Sequence, residues 1–514
     1  MEFGGETMNK RIWSLKDFIE LLEMSGLLVE TNAREHNLAK IVRYISYNSM
    51  DVKYDTLFIC KGSHFSADYL KTAVREGALA YMSEVRYDIS DVDRDEQVAY
   101  IIVNDIRKAM ALVANRYYNE LWKKLNLIGI TGTKGKSTTT YFMRYILDDY
   151  LKSIKKPRSA VLSGIDNYDG VINQESHLTT PETLELYRHF HNAVRSDIEY
   201  LSMEVSSQAL KYHRTMGIQY TVGCFLNIGE DHISDIEHSD FEDYFDAKLM
   251  LFKQCDTACI NLDSAYIDRI MEAAKDCKRI ITFGLNPDAD VFGHDIKSSG
   301  NSITFMVKTD SFDREFKINM PGIFNVTNAL AAIAISYSLN IPLDNIAAGL
   351  KKAQVSGRME VYTNKSNDLY VIVDYAHNKM SFESLFASMK KEFPDKKISI
   401  VFGCPGKKAF SRRKELGEIA GKYSDNVFIT EEDAGEESLM NICEEIAGHV
   451  KEQQCPCSII PDRKEAIRQA IAQADKDTVV LITGKGRETR QKRGTQYIDT
   501  PSDVEYVQEF LKDK

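Results

Sequence analysis

Short apolar runs punctuate the first 124 residues: "TLFIC" at 56–60, "ALAYM" at 78–82 and "VAYIIV" at 98–103. Between them lie polar amphipathic stretches such as "SADYLKTAVREG" at 66–77. Runs of five or six apolar residues bounded by polar helical patterns read as buried strands alternating with helices, so a small α/β domain is expected. The rhythm resumes at 125 with "LNLIGI", followed by "YLSMEVS" at 200–206 and "YTVGCFLNI" at 220–228. It restarts after "VSGRMEV" at 355–361 with "LYVIVDYAH", "KISIVFG", "NVFIT" and "TVVLITGKG". Strands that are apolar throughout and separated by helices imply mainly parallel sheets covered on both faces. The expected class is therefore α/β, in three domains at 1–124, 125–355 and 356–514.

The first chemistry lies in "LNLIGITGTKGKSTTTYFMRYIL", where a strand pattern runs into glycines and then into a helix carrying Phe142, Tyr145 and Ile146. Gly132, Thr133, Lys134, Gly135, Lys136, Ser137 and Thr138 would let backbone N–H groups approach phosphate oxygens, with the helix N-terminus adding partial positive charge. Lys136 would lie on the β/γ-phosphates and Ser137 would ligate Mg²⁺. The match is to GxxGK[ST]; Ile130 stands where the longer Walker spacing needs its first glycine. The central domain is thus expected to be a P-loop ATPase-like parallel sheet, and the C-terminal domain a Rossmann-like one.

Composition narrows the choice. A chain of 514 residues is too long for one core, and its net charge of -11 argues against a dedicated nucleic-acid binder. The nine cysteines include no CxxC pair, which fits free thiols in a reducing compartment. The N-terminal "MEFGGETMNKRIWSL" lacks an apolar core of signal-peptide type, and no run reaches membrane-spanning length. A cytoplasmic protein without membrane insertion is expected.

What the phosphate serves is decided downstream. "LTTPETLEL" at 178–186, "MEVSSQALKYHR" at 203–214, "FLNIGEDHI" at 225–233 and "YFDAKLMLF" at 244–252 occur in that order. "GIFNVTNALAA" at 322–332, "SGRMEV" at 356–361, "DYAH" at 374–377 and "ITGKGRE" at 482–488 follow. In these motifs the whole chain resembles the Mur ligases of peptidoglycan synthesis, specifically the MurE type. The resemblance implies that ATP phosphorylates a free carboxylate of UDP-MurNAc-L-Ala-D-Glu, and that the amine of a free amino acid then displaces the phosphate. It implies an ATP- and Mg²⁺-dependent enzyme, a monomer with no nucleic-acid partner, and a uridine-diphosphate site in residues 1–124.

The resemblance also assigns residues. Glu204 and His232 would bind Mg²⁺ with Ser137 nearby, although a histidine on Mg²⁺ is unusual and His232 alone would read as an ordinary hydrogen-bonding group. Lys248, by pattern a solvated helix lysine, would be carbamylated by CO₂ and become an anionic metal ligand. Lys136, Glu204, His232 and Lys248 form the expected catalytic set. Ser49 and the "KGSHF" turn at 61–65 would hold the uridine diphosphate, with Asn48 and Met50 in place of the charged neighbours common in relatives. Thr179, Thr180, Ser206 and Arg214 would hold the MurNAc-dipeptide; Thr180 also reads as a helix cap. Asn325 and Asn328 would reach adenine, and Arg358 and Asp374 the phosphates and ribose. His377 either accompanies them or is a structural histidine at a strand end.

Arg413, with Gly484 and Glu488, would hold the incoming amino acid. In the specificity loop "TEEDAGEES" at 430–438, diaminopimelate enzymes carry Asp-Asn-Pro-Arg where this chain has Glu432, Asp433, Ala434 and Gly435. With Gly435 in the arginine's place, a second substrate carboxylate lacks a partner and an ammonium head is favoured. L-lysine is the expected substrate, with ornithine and meso-diaminopimelate as alternatives, and a solvated acidic loop as the plainer reading. A folylpolyglutamate synthase-like ligase and a non-catalytic nucleotide-binding scaffold are the more distant alternatives.

Overall fold

The computed structural model describes residues 12–512 apart from 63, 64, 96, 232, 234–236, 300 and 367. The chain forms two compact units, one of residues 1–129, 159–223 and 250–256, the other of 130–158, 224–249 and 257–514.

In the first unit the runs read as strands are strands. Thr56–Ile59, Ala78–Ser83 and Ala99–Val103 are buried along their whole length, as a sheet covered on both faces requires. The strand order is Leu28–Thr31, Ala99–Val103, Ala78–Ser83, Thr56–Ile59, Tyr44–Ser46. The first pair is antiparallel and the others are parallel. Helices start where a side chain can satisfy the free N–H groups. Ser14 and Asp17 build a capping box for Leu15–Met24, Ser66 caps Ala67–Arg75, and Asp105 caps Ile106–Tyr117.

In the second unit the helix Lys136–Ser153 follows the phosphate-loop glycines and packs against Phe324–Ser338 and Leu343–Lys352. In "NVTNALAAIAIS" the run from Ala329 to Ile335 is apolar throughout and buried throughout, as a helix hydrophobic all round should be. Gly349 sits where Leu343–Lys352 meets Lys136–Ser153: a Cβ there would lie 2.4 Å from Ile146 Cα.

The C-terminal part is an open sheet in the order Glu360–Thr363, Tyr370–Asp374, Thr478–Thr483, Lys397–Phe402, Asn426–Ile429, Cys457–Ile459. All neighbours beyond the first pair are parallel. The carboxyl ends of four strands therefore emerge on one edge, at Asp374, Phe402, Ile429 and Thr483, where open α/β sheets hold their ligands. Among the described residues no helix is long and apolar enough to cross a membrane.

Because Gly349 packs directly against the backbone of Tyr145 and Ile146, which cannot swing aside, Gly349→Ala forces two helices apart. The cost is expected at about 2 kcal/mol despite alanine's better helix propensity. A melting transition lowered by about 4 °C or more would show it; an unchanged transition would mean that the helices separate freely.

Candidate active site

Two glycines shape the phosphate loop. Gly132 has φ 149° and Gly135 φ 86°. A Cβ at Gly132 would meet Leu226 Cβ at 2.9 Å, and one at Gly135 would meet Asn328 Oδ1 at 2.2 Å. The loop is tied from below: Thr133 Oγ1 donates to Gly229 O (3.2 Å) and accepts from Gly229 N and from the Tyr244 hydroxyl (each 3.1 Å). Lys134 N donates to Asn227 Oδ1 at 2.9 Å. Lys136 Nζ folds back onto Gly132 O (2.9 Å) and Thr133 O (3.2 Å), and Ser137 and Thr138 are buried in the first helical turn. Asn325 donates to Pro321 O (2.7 Å) and accepts from Asn328 Nδ2 (3.1 Å), which leaves Asn328 Oδ1 against the loop.

Lys248 is not solvated. On the helix Phe241–Leu249 it is 1% exposed, donates to the same Gly132 O at 3.0 Å, and lies 4.6 Å from the Tyr244 ring centroid. Burial, then the Lys136 cation, holds its pKa well below the ordinary value, against the opposing pull of Asp231. Lys134 is drawn down to about 8, again by burial first. Among the donors around Asp231 are Lys134 Nζ at 3.4 Å, Arg412 Nη2 at 3.0 Å, and Asn378 Nδ2. His232 lies outside the described residues.

A second constellation lies in the first unit. Glu204 ends the strand Tyr200–Glu204, is buried, and accepts from Gly164 N at 2.7 Å; Thr179 stands beside Gly164. Thr180 Oγ1 donates to Glu204 O (2.9 Å) and accepts from Ser206 N (3.0 Å), while Ser206 caps Ser207–Lys211. The cap of the helix Thr183–Arg195 is Glu182, not Thr180, which is spent on the neighbouring strand end. Arg214 is held within the chain: Nη2 lies 2.7 Å from Glu182 Oε1, and Nη1 donates to Thr180 O at 3.1 Å. Lys61 pairs with the same Glu182. Ser49 is buried at the start of a short turn capped by Asn48, and Met50 is exposed.

The carboxyl ends of the C-terminal strands surround a cavity of about 250 Å³. Its wall includes Asp231, Tyr375, His377, Arg412, Glu432, Asp433, Gly484, Lys485 and Glu488. Glu432 is buried, and burial pushes its carboxyl up to about 7, against Arg463, Lys485 and Arg412, which lower it. Its Oε2 has no hydrogen-bond partner among the described residues. Gly484, at φ 105°, is glycine because a Cβ would fall 2.2 Å from that oxygen. Lys485 Nζ bridges Asp433 Oδ1 (3.0 Å) and Glu488 Oε2 (2.5 Å). Behind the wall, Arg463 is buried and pairs with Asp503 at 2.7 Å through two nitrogens. It also donates to Glu431 O (3.2 Å) and Thr483 O (2.7 Å), fixing the chain on either side of the cavity. Burial keeps His377 well below its usual pKa, with the Lys134 and Arg412 cations adding to it, so its ring is neutral. Arg358 lies with its guanidinium 4.2 Å from the Tyr375 ring centroid, and Asp374 accepts from Met359 N and Ala376 N.

A Mur ligase middle-domain profile matches residues 130–336, and the Mur ligase glutamate ligase domain matches 357–486. The chain belongs to the Mur ligase family. An Enterococcus faecalis UDP-N-acetylmuramoyl-L-alanyl-D-glutamate–L-lysine ligase is 36% identical over 92% of this chain and 92% of its own. A Caldanaerobacter subterraneus 2,6-diaminopimelate ligase of the same series is 35% identical over 91% of this chain and 94% of its own. A solved structure of a UDP-N-acetylmuramoyl-L-alanyl-D-glutamate–2,6-diaminopimelate ligase matches with a TM-score of 0.65 and 24% identity, covering 96% of this chain and 98% of that one. Relatives named for lysine and for diaminopimelate are thus about equally similar, so the choice between them rests on particular residues.

Two expectations for this Mur ligase need correction. Arg413 does not line the cavity; its guanidinium is taken by Glu437 (2.7 Å) and Glu445 (2.8 Å). Arg412, one residue and about 100° of helix earlier, faces the cavity instead. Two adjacent arginines in "SRRKELG" look alike in sequence, so only packing could decide between them. Gly435 is also absent from the wall. It has φ 59°, donates to Lys492 O at 3.0 Å and accepts from Gly494 N at 2.7 Å, so backbone geometry explains the glycine. Tyr375 and Lys485 also face the cavity, from within the DYAH and ITGKGRE motifs, where nothing local sets them apart from their neighbours Asp374 and Gly484.

Proposed function

We propose that this Mur ligase is an ATP-dependent, cytoplasmic, monomeric UDP-MurNAc-tripeptide synthetase that adds L-lysine to UDP-MurNAc-L-Ala-D-Glu. A carboxylate oxygen of D-Glu takes the γ-phosphoryl group and ADP departs. The amino acid's nitrogen then bonds to the acyl carbon, phosphate leaves with the C–O electron pair, and the nitrogen releases a proton. Residues 1–124 serve the uridine diphosphate, 125–355 the ATP, and 356–514 the amino acid.

In this reading Gly132 to Thr138 hold the phosphates, with Lys136 on the oxygens where charge develops. Asn325 and Asn328 stand by the adenine, Arg358 and Asp374 by the phosphates and ribose. Ser49, Thr179, Thr180, Ser206 and Arg214 serve the UDP-MurNAc-dipeptide. Ser137, Glu204, His232 and a carbamate on Lys248 are the Mg²⁺ donors, and the ion supplies charge that lets two anions meet. The environment of Lys248 fits carbamate formation, because CO₂ adds to a neutral amine and this amine is buried beside other cations. Intact mass in bicarbonate buffer is expected to rise by one CO₂, and not in Lys248→Met; equal uptake by both proteins would refute the carbamate.

The observation that carries lysine over diaminopimelate is the charge of the cavity. Among the described residues seven acidic side chains line it (Glu230, Asp231, Glu237, Glu415, Glu432, Asp433 and Glu488) against three cations, Lys408, Arg412 and Lys485. Arg412, itself held by Asp231, is proposed for the substrate's α-carboxylate, and the Glu432–Asp433–Glu488 side for its ammonium head. A second substrate carboxylate would face like charge there.

The test is phosphate release with ATP, Mg²⁺ and UDP-MurNAc-L-Ala-D-Glu, offered L-lysine, L-ornithine, meso-diaminopimelate or no amine. L-lysine is expected to support release and a tripeptide of matching mass. Diaminopimelate preferred over lysine would overturn the charge argument, and release with no amine would leave only a nucleotidase. Glu432 gives the pH dependence its sign. With its pKa raised to about 7 it is neutral below that pH and anionic above it, so the KM for lysine should fall as pH rises from about 6 to 8. Glu432→Gln should flatten that trend; a trend that survives the substitution belongs to another group.

A further inference from the structure

Tyr375 stands between the residues proposed for ATP and those proposed for the amino acid. It follows the strand end Asp374, whose carboxylate accepts from Met359 N (2.9 Å) and Ala376 N (2.8 Å), pinning the main chain around it. One face of the ring carries the Arg358 guanidinium at 4.2 Å, and the His377 ring packs against it at 5.0 Å. The ring is thus fixed before any substrate arrives, and its hydroxyl donates to Glu488 Oε1 at 2.5 Å.

That bond matters because of what holds the other oxygen. Glu488 Oε2 lies 2.5 Å from Lys485 Nζ, an ammonium already inside the cavity wall. Lys485 also takes Asp433 Oδ1, so two of the acidic groups facing the cavity are partly neutralised by the chain's own lysine. A carboxylate held only by Lys485 would turn toward it and offer an incoming ammonium less charge. Burial and the nearby carboxylate keep the phenol protonated, so it remains a donor at any working pH.

We propose that Tyr375 is a positioning residue for amino-acid specificity, its hydroxyl holding Glu488 toward the cavity so that the carboxylate receives the ammonium of the incoming diamine. This deepens the ligase reading and rests on it. Tyr375 transfers no proton in the reaction; it acts through Glu488.

The variant is Tyr375→Phe, which removes one oxygen and leaves the ring and its stack with Arg358. The steady-state KM for L-lysine is expected to rise about tenfold, the scale of one hydrogen bond to a charged group. The kcat and the KM for ATP should stay as in the wild type. The preference for L-lysine over L-ornithine should narrow, since a looser Glu488 meets either chain length. In the double variant Tyr375→Phe/Glu488→Gln the tyrosine change should add nothing to Glu488→Gln. An unchanged lysine KM, a rise in the ATP KM alone, or additive effects in the double variant would each overturn the positioning role while leaving the ligase intact. No turnover by the wild-type chain with any amine would overturn the ligase reading itself.

Discussion

Three lysine side-chain nitrogens converge on one glycine turn, and the repulsion between their charged forms is the constraint around which that turn is built. Lys136 and Lys248 donate to the same carbonyl oxygen of Gly132, and Lys134 lies two residues away beside Asp231. Two unit charges about 4 Å apart oppose each other by about 4 kcal/mol at an effective dielectric of about 20. The chain lowers that cost in two ways. Asp231 supplies an anion to Lys134, and burial drives the innermost amine, Lys248, toward its neutral form. In the reading proposed above, a polyphosphate would supply further negative charge at this loop.

The amino-acid side solves the opposite problem, an excess of carboxylates. The parallel sheet brings four strand ends to one edge, and the loops after them deliver Tyr375, Arg412, Glu432, Asp433, Lys485 and Glu488 to one cavity. Behind it the buried Arg463–Asp503 pair, bonded also to Glu431 O and Thr483 O, fixes two of those loops. Breaking such a pair from one side costs about 3–5 kcal/mol, because the stranded charge stays buried. The bonds to Glu431 O and Thr483 O hold the backbone just before Glu432 and Gly484 on either side of the cavity.

In the first unit the same economy appears in smaller form. Glu182 binds both Lys61 and Arg214, so two cations are balanced by one carboxylate at the head of the helix Thr183–Arg195. Arg214 nevertheless keeps a buried Nε without a partner among the described residues. An unmet donor of that kind is costly unless a ligand meets it, which is consistent with a site for an anionic substrate group.

The sequence by itself determined the class of fold, the phosphate loop and the family. Those rest on local signals: apolar runs too short for helices, glycines before a helix, and eight motifs in a fixed order. The family resemblance, not any local pattern, grouped Glu432, Asp433, Gly484 and Glu488 as residues for the incoming amino acid. Only the tertiary structure decided which of Arg412 and Arg413 faces the cavity, because a helix turns adjacent residues about 100° apart and the neighbouring glutamates that claim Arg413 are distant in sequence. It likewise decided that Gly435 answers to a left-handed backbone, and that Lys248, on a helix whose pattern reads as solvated, is among the most buried side chains in the protein. Burial and charge pairing depend on contacts between remote segments, and no local pattern of residues encodes those.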